Sequence, residues 1–241
     1  MSGHSKWSTI KRSKGVTDAK KGTIFTKIAN TISLAAREGG GDPDTNFKLR
    51  LTIDKAKQAN MPKENIERAI KRGTGEGSEG KIDEVVYEGF GPDGVAILIE
   101  SFTDNKNRTA PVIRAILSKK NGRLAENGSV SWMFDRKGVL LVTAPENSQK
   151  ESVELELIDL GVEDIKEEAE GFTIYTTPEN LESTNKSLIE KGYTVEYASV
   201  DPVAKTILTK SDVSDPEKIT GLLDELENND EVTNIYSNYE Y

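Results

Sequence analysis

Val139-Leu140-Leu141-Val142-Thr143 is the stretch on which the fold of this chain turns. A short apolar run of this kind reads as a strand, and the residues after it alternate in a recognisable order. The pattern becomes helical over 150–160, returns to strand at 163–169 and again at 172–177, turns helical over 179–191 and closes as a strand at 194–199. That is β-α-β-β-α-β, the ferredoxin-like order.

The flanks on either side share a second pattern. Upstream, Val85–Phe90 and Val95–Thr103 read as a hairpin around Gly91-Pro92-Asp93-Gly94, because proline and glycine supply the dihedrals of a tight turn. A helix follows from about Arg108 to Asn121, with Val112, Ile113, Ile116 and Leu117 on one side, and Val130–Phe134 reads as a strand. Downstream come a strand at Ala204–Thr209, a helix at Pro216–Glu227 and a strand at Val232–Ser237, which complete the sheet begun at Val85. The expectation is a discontinuous α+β domain, 82–134 plus 204–241, with a ferredoxin-like domain, 139–200, inserted into it.

Toward the N-terminus the spacing is helical. Ile24, Ile28 and Ile32 recur at i, i+4 and i+8, Ala35 and Ala36 continue the face, and Gly39-Gly40-Gly41-Asp42-Pro43 stops it. A second helix spans Asn46 to Asn60, with Phe47, Leu49, Leu51, Ile53 and Ala56 as its apolar side. Pro62 suits the first position of a third helix, Pro62–Arg72, which buries Ile66, Ala69 and Ile70 and ends at Gly73. Residues 23–75 are thus a small helical domain, and the glycine-rich Gly73–Gly80 run reads as a linker. Residues 1–22, with six basic residues, one acid and three glycines, read as a basic flexible tail. The tail lacks the apolar core of a secretory signal and shows no amphipathic stripe of a mitochondrial transit peptide, although it shares that class's basic, serine-rich character.

Composition narrows the chemistry. The 241 residues include no Cys and a single His, His4, so disulfides, thiolate metal sites, cysteine nucleophiles and multi-histidine centres are excluded, and a reducing, cytoplasmic compartment fits. No apolar stretch reaches the ~18 residues of a membrane helix. The net charge of −9 is unevenly spread. Residues 1–75 carry 16 basic and 7 acidic side chains, a net of +9, and the remainder carries 16 basic and 34 acidic, a net of −18. A basic module joined to an acidic body points to a polyanion as partner, with the body limiting how it approaches.

Lys6, Trp7, Lys11, Arg12 and Lys14 are the densest candidate contact set. Lys and Arg neutralise phosphates and release counterions, and Trp offers a face for stacking on an exposed base. The competing reading has Trp7 folding back as an apolar anchor. Lys20, Lys21, Lys27 and Arg37 extend the charge into the first helix. Lys63, Arg68, Lys71 and Arg72 do so in the third, where Arg68, Lys71 and Arg72 fall at i, i+3 and i+4. Arg108 is a further candidate for phosphate, in the turn Thr103–Thr109, whose other polar residues read as helix caps. Gly89-Phe90-Gly91-Pro92-Asp93-Gly94 satisfies a dinucleotide fingerprint as a string, but a strand rather than a helix follows it, so no nucleotide cofactor is implied. Ser2-Gly3-His4, if Met1 is removed, offers four nitrogens suited to adventitious Cu(II) or Ni(II).

Several long words in this chain resemble the YebC/PmpR family: Gly3-His4-Ser5-Lys6-Trp7, Asp18-Ala19-Lys20-Lys21-Gly22, Ile24-Phe25-Thr26-Lys27 and Gly39–Pro43. So do Asn60–Gly73, Tyr87–Gly94, Thr103–Thr109 and Ser129-Val130-Ser131-Trp132-Met133-Phe134. Arg12-Ser13-Lys14 and Val16-Thr17 depart from residues common among relatives, though the basic character survives. The resemblance implies three domains, a helical one followed by two α/β ones. Family members are usually labelled probable transcriptional regulatory proteins that bind DNA, whereas mitochondrial relatives act as translational activators and bacterial ones look like ribosome-associated factors that ease proline-rich synthesis. By resemblance, the tail residues Lys6, Trp7, Lys11, Arg12 and Lys14 become the contact set.

The expected fold is α+β, a small N-terminal helical domain followed by two α/β (ferredoxin-like) domains, the last inserted into the middle one. The expected function is non-enzymatic binding of nucleic acid, DNA or ribosomal RNA, with no cofactor, metal, membrane or small-molecule substrate. A protein–protein interaction module with no direct nucleic-acid contact is the alternative.

Overall fold

A computed structural model describes residues 18–76, 83–103, 105–146, 148–169 and 171–240, the side chains of 18–21, 150 and 151 excepted. The chain is α+β and forms two compact units, one running through Phe134 and resuming at Ala204, the other Asp135–Val203. Among the described residues no helix is long and apolar enough to cross a membrane.

Three helices begin the first unit: α1 (Asp18–Gly39), α2 (Phe47–Gln58) and α3 (Lys63–Thr74). Helix α1 starts earlier than the apolar spacing indicates, within the segment read as tail. Ile28, Ile32, Ala35 and Ala36 of α1 meet Leu49 and Ala56 of α2 and Ile66 and Ala69 of α3 in one core. Asn46 fastens the first corner: its Oδ1 accepts from the Leu49 amide at 3.0 Å, and its Nδ2 donates to the carbonyls of Ala35 and Gly40, both at 2.8 Å. One buried side chain thereby satisfies orphan groups at the end of α1 and the start of α2.

Helix α3 differs from the sequence reading at both ends. Pro62 is its N-cap rather than its first residue, and the helix runs past Gly73 to Thr74 before Gly75 ends it in the left-handed conformation (φ 82°). Gly73 lies inside the helix because α1 passes so close: a Cβ there would fall 2.2 Å from the Ser33 carbonyl oxygen. The glycine serves contact between helices, not termination.

Strands β1 (Asp83–Phe90) and β2 (Ala96–Thr103) form the expected hairpin, antiparallel from Asp83↔Thr103 to Phe90↔Ala96. Its turn takes positive φ at Asp93 (56°) and Gly94 (77°), and the Gly91 amide donates to the Val95 carbonyl at 2.7 Å. After α4 (Lys106–Lys119) comes the short β3 (Arg123–Leu124), which pairs with β1.

The second unit follows in sequence with β4 (Phe134–Thr143), α5 (Lys150–Asp159), β5 (Asp164–Glu168), β6 (Gly171–Thr176), α6 (Leu181–Glu190) and β7 (Thr194–Ala204). Its strands lie in the order β5-β6-β4-β7. The first strand is thus central and antiparallel to the third, as the ferredoxin-like order requires. Leu140, Leu141, Leu157, Ile174 and Leu188 are wholly buried.

The chain then returns to the first unit through α7 (Pro216–Glu227) and β8 (Val232–Ser237), and β8 pairs with β2. The completed sheet has the order β3-β1-β2-β8. Ile97 and Ile99 of β2 pack with Ile113 and Leu117 of α4 and Leu222 and Leu226 of α7. Two expected strands are not regular. Ser131–Met133 is a 3₁₀ turn, and the segment after Ala204 contributes a single bridge, Leu208 to Tyr239.

Candidate nucleic-acid interface

Lysines and arginines in a basic helical domain look equivalent in sequence, but tertiary packing divides them. Lys6, Trp7, Lys11, Arg12 and Lys14 lie outside the described residues, as does Ser2-Gly3-His4. Lys20 and Lys21 fall on the first turn of α1, their side chains outside the described set. The remaining candidates can be sorted by where their charges sit.

Lys27 is turned inward. Its ammonium donates to the Glu227 main-chain carbonyl at the end of α7. Burial drives its pKa down to about 8, against the opposing pull of Glu227 and Asp230. Arg72 is likewise engaged: Nε donates to Ser33 Oγ and a terminal nitrogen to Asn30 Oδ1, both at 2.9 Å. Ser33 Oγ in turn donates to the Ala69 carbonyl at 2.7 Å, so the contact links α1 to α3. Arg72 is therefore part of the helix packing, although the i, i+3, i+4 spacing groups it with Arg68 and Lys71. Arg108 pairs with Glu231, Nε to Oε1 2.6 Å, and its turn is capped by Asn105, whose Oδ1 accepts from the Asn107 amide.

Arg68 and Lys71 face solvent on α3, three residues apart on one side of the helix. Ile66 and Ala69 hold the opposite side in the core, so this outward presentation follows from the helical period. Lys63 and Arg37 are exposed as well, Lys63 standing 3.5 Å from Glu67. An exposed guanidinium and ammonium at this spacing can span two phosphate oxygens without the desolvation that Lys27 has already undergone. The residues that sort these cations, Asn30, Ser33, Glu227 and Asp230, carry no motif that marks them in the sequence. The available signal is Asn30 and Ser33, two buried polar residues three apart beside an apolar stripe.

Comparisons with known proteins agree along the whole chain. Residues 5–76 match the TACO1/YebC protein N-terminal domain, and residues 82–239 match the TACO1/YebC second and third domain. A probable transcriptional regulatory protein of Caldanaerobacter subterraneus subsp. tengcongensis is 47% identical over 240 residues, covering 100% of this chain and 98% of that protein. One from Chlorobium phaeovibrioides is 48% identical over 241 residues, covering 100% and 96%. The crystal structure of a conserved hypothetical protein, Aq1575, from Aquifex aeolicus superposes with a TM-score of 0.83 at 37% identity, over 92% of this chain and 91% of that one. The chain belongs to the TACO1/YebC family.

Proposed function

We propose that this chain is a non-enzymatic, nucleic-acid-binding regulator of gene expression, acting in the cytoplasm, and that structured RNA of the ribosome is its target. The observation that carries the reading is charge placement. Residues 1–75 hold a net of +9 against −18 for the rest, and Arg68 and Lys71 are presented outward from the basic domain. Phosphate attracts such a module, and the acidic remainder on average repels the same polyanion, so the first encounter is steered to the basic module.

Helix α3 supports RNA over the DNA major groove. It interleaves exposed Glu64 and Glu67 with Lys63, Arg68 and Lys71, and carboxylates along a helix oppose its lying lengthwise in a groove walled by phosphates. Contact at one point of a folded RNA has no such requirement. The relatives' names, probable transcriptional regulatory protein, favour a second reading, transcriptional regulation, for which duplex DNA would be the target.

Cosedimentation with ribosomes across a salt series, with duplex DNA binding measured alongside, separates the two. The comparison is between the intact chain and one lacking residues 1–17, which leaves α1 whole. Salt-sensitive ribosome binding that needs residues 1–17 supports translation. Tight, sequence-selective duplex binding without ribosome association supports transcription. Neither interaction would leave the protein-interaction module.

A further inference from the structure

Trp132 is the most exposed large hydrophobic residue among those described, at 65%, and it is not a loose one. Its indole Nε1 donates to the Ser129 carbonyl at 3.0 Å within the same turn, so the ring is held and its one donor is spent. The turn is itself braced from below by Glu88 of β1, a carboxylate only 6% exposed. Glu88 accepts from the amides of Gly128 at 2.7 Å, Val130 at 2.5 Å and Ser131 at 3.0 Å. Its main-chain carbonyl accepts from the Ala125 amide at 2.7 Å, closing the other end of the loop. Burial pushes the Glu88 carboxyl up, but hydrogen bonds from Gly128, Val130 and Ser131 outweigh it and hold the pKa below its usual value, so the brace stays ionised.

A cation lies on the same side of the sheet. Glu88 and Phe90 are two apart on β1 and share a face. Arg123, exposed on β3, sets its guanidinium 4.9 Å from the centre of the Phe90 ring. Phe90 and Met133, the neighbour of Trp132, pack on one cluster with Val130 and Tyr236. The result is an exposed indole held in the loop that Glu88 braces, and an exposed arginine stacked on Phe90, on the face of β1 that carries Glu88. That pairing suits a base and its phosphate, and a purely apolar partner would leave the guanidinium unmatched.

We propose that Trp132 is a stacking platform for an unpaired nucleobase, with Arg123 receiving a phosphate of the same strand. This is a second contact point, on the sheet-bearing domain and separate from the basic helices, and it rests on the proposed binding of nucleic acid. Because a π-face tolerates any base, the platform contributes grip without sequence preference.

The chain has two tryptophans, so Trp7→Phe leaves Trp132 as the single indole reporter. That protein is titrated with an unstructured adenine-rich RNA oligomer, its DNA counterpart and deproteinised ribosomal RNA. Stacking is expected to quench Trp132 emission saturably. In the same background, Trp132→Ala is expected to weaken labelled-RNA binding roughly tenfold at unchanged salt slope, Trp132→Phe to recover most of it, and Arg123→Ala to flatten the slope by about one phosphate. Circular dichroism confirms that the variants are folded. RNA binding with unaltered Trp132 emission and unaltered Trp132→Ala affinity overturns the platform while the proposed nucleic-acid binding stands. Loss of ribosome cosedimentation in Trp132→Ala with no effect on any naked nucleic acid overturns it in favour of a protein partner. Absence of all nucleic-acid binding by the intact chain overturns both.

Discussion

Lys27 in α1 donates from its ammonium to the main-chain carbonyl of Glu227, the last residue of α7, across 200 positions of sequence. One turn earlier the Thr23 hydroxyl donates to the Asp230 carboxylate at 2.6 Å. The carbonyls at a helix C-terminus have no intrahelical partner and carry partial negative charge, which suits a buried ammonium. These bonds fasten the helical domain to the sheet-bearing domain at the end where the basic segment begins.

The Lys27 contact makes stability depend on pH in a definite direction. An ordinary lysine ionises near 10.5 and Lys27 near 8, so between these values the unfolded chain holds a proton that the folded chain has released. Stability therefore rises with pH through that window. The gain between about pH 7.5 and about pH 9.5 is of order 1–2 kcal/mol in urea unfolding, and Lys27→Met abolishes it. Above about pH 10 the tyrosines Tyr87, Tyr193 and Tyr239, whose pKa values burial raises, act in the opposite sense. An equal rise in wild type and Lys27→Met would contradict the assignment.

Glu88 gives the reverse sign. Its folded pKa lies below the usual carboxylate value, so its contribution is present above that value and is lost as pH falls through the folded pKa. Glu88→Gln replaces one acceptor oxygen with an amino group facing main-chain donors and costs about 1–3 kcal/mol at neutral pH. Acidifying the buffer until wild-type Glu88 is protonated is expected to close the gap between the two proteins in thermal unfolding. Limited proteolysis of the Gln variant would begin in the Ala125–Met133 loop.

Two glycines in helices of the same domain respond oppositely to alanine. At Gly73 a Cβ meets the Ser33 carbonyl at 2.2 Å and the Ala36 methyl at 2.8 Å, and Gly73→Ala is expected to destabilise by about 1–3 kcal/mol despite the better helix propensity. At Gly22 nothing lies within 4 Å, so Gly22→Ala stabilises by up to about 1 kcal/mol. Denaturant midpoints for the pair check both signs.

Arg72 and its neighbours on α3 are expected to separate folding from binding. Arg72→Ala removes the donors to Ser33 Oγ and Asn30 Oδ1 and lowers stability by about 1–3 kcal/mol. Arg68→Ala with Lys71→Ala leaves the melting temperature within error and flattens the salt dependence of RNA binding by about one to two phosphates. Binding losses that track stability in both variants would remove α3 from the interface.

The sequence alone determined the element order, because apolar spacing and turn residues are local properties. The isoleucines of α1, the Gly91–Gly94 turn and the strand–helix alternation after Val139 each carry their own period. The uneven charge and the absence of cysteine are equally legible there. Local pattern misleads where the deciding partner lies far along the chain. Gly73 resembles a helix stop until Ser33 stands against it, and Val130–Phe134 resembles a strand until Glu88, 42 residues before Val130, gathers its amides into a turn. Lys27 and Arg72 cannot be told from Arg68 and Lys71 by spacing, since all lie on basic helices. Only tertiary packing engaged the first pair with Glu227, Asn30 and Ser33 and left the second facing water. Burial is a sum over distant contacts, and it is burial that decides which cations have already given up the solvation a phosphate would replace.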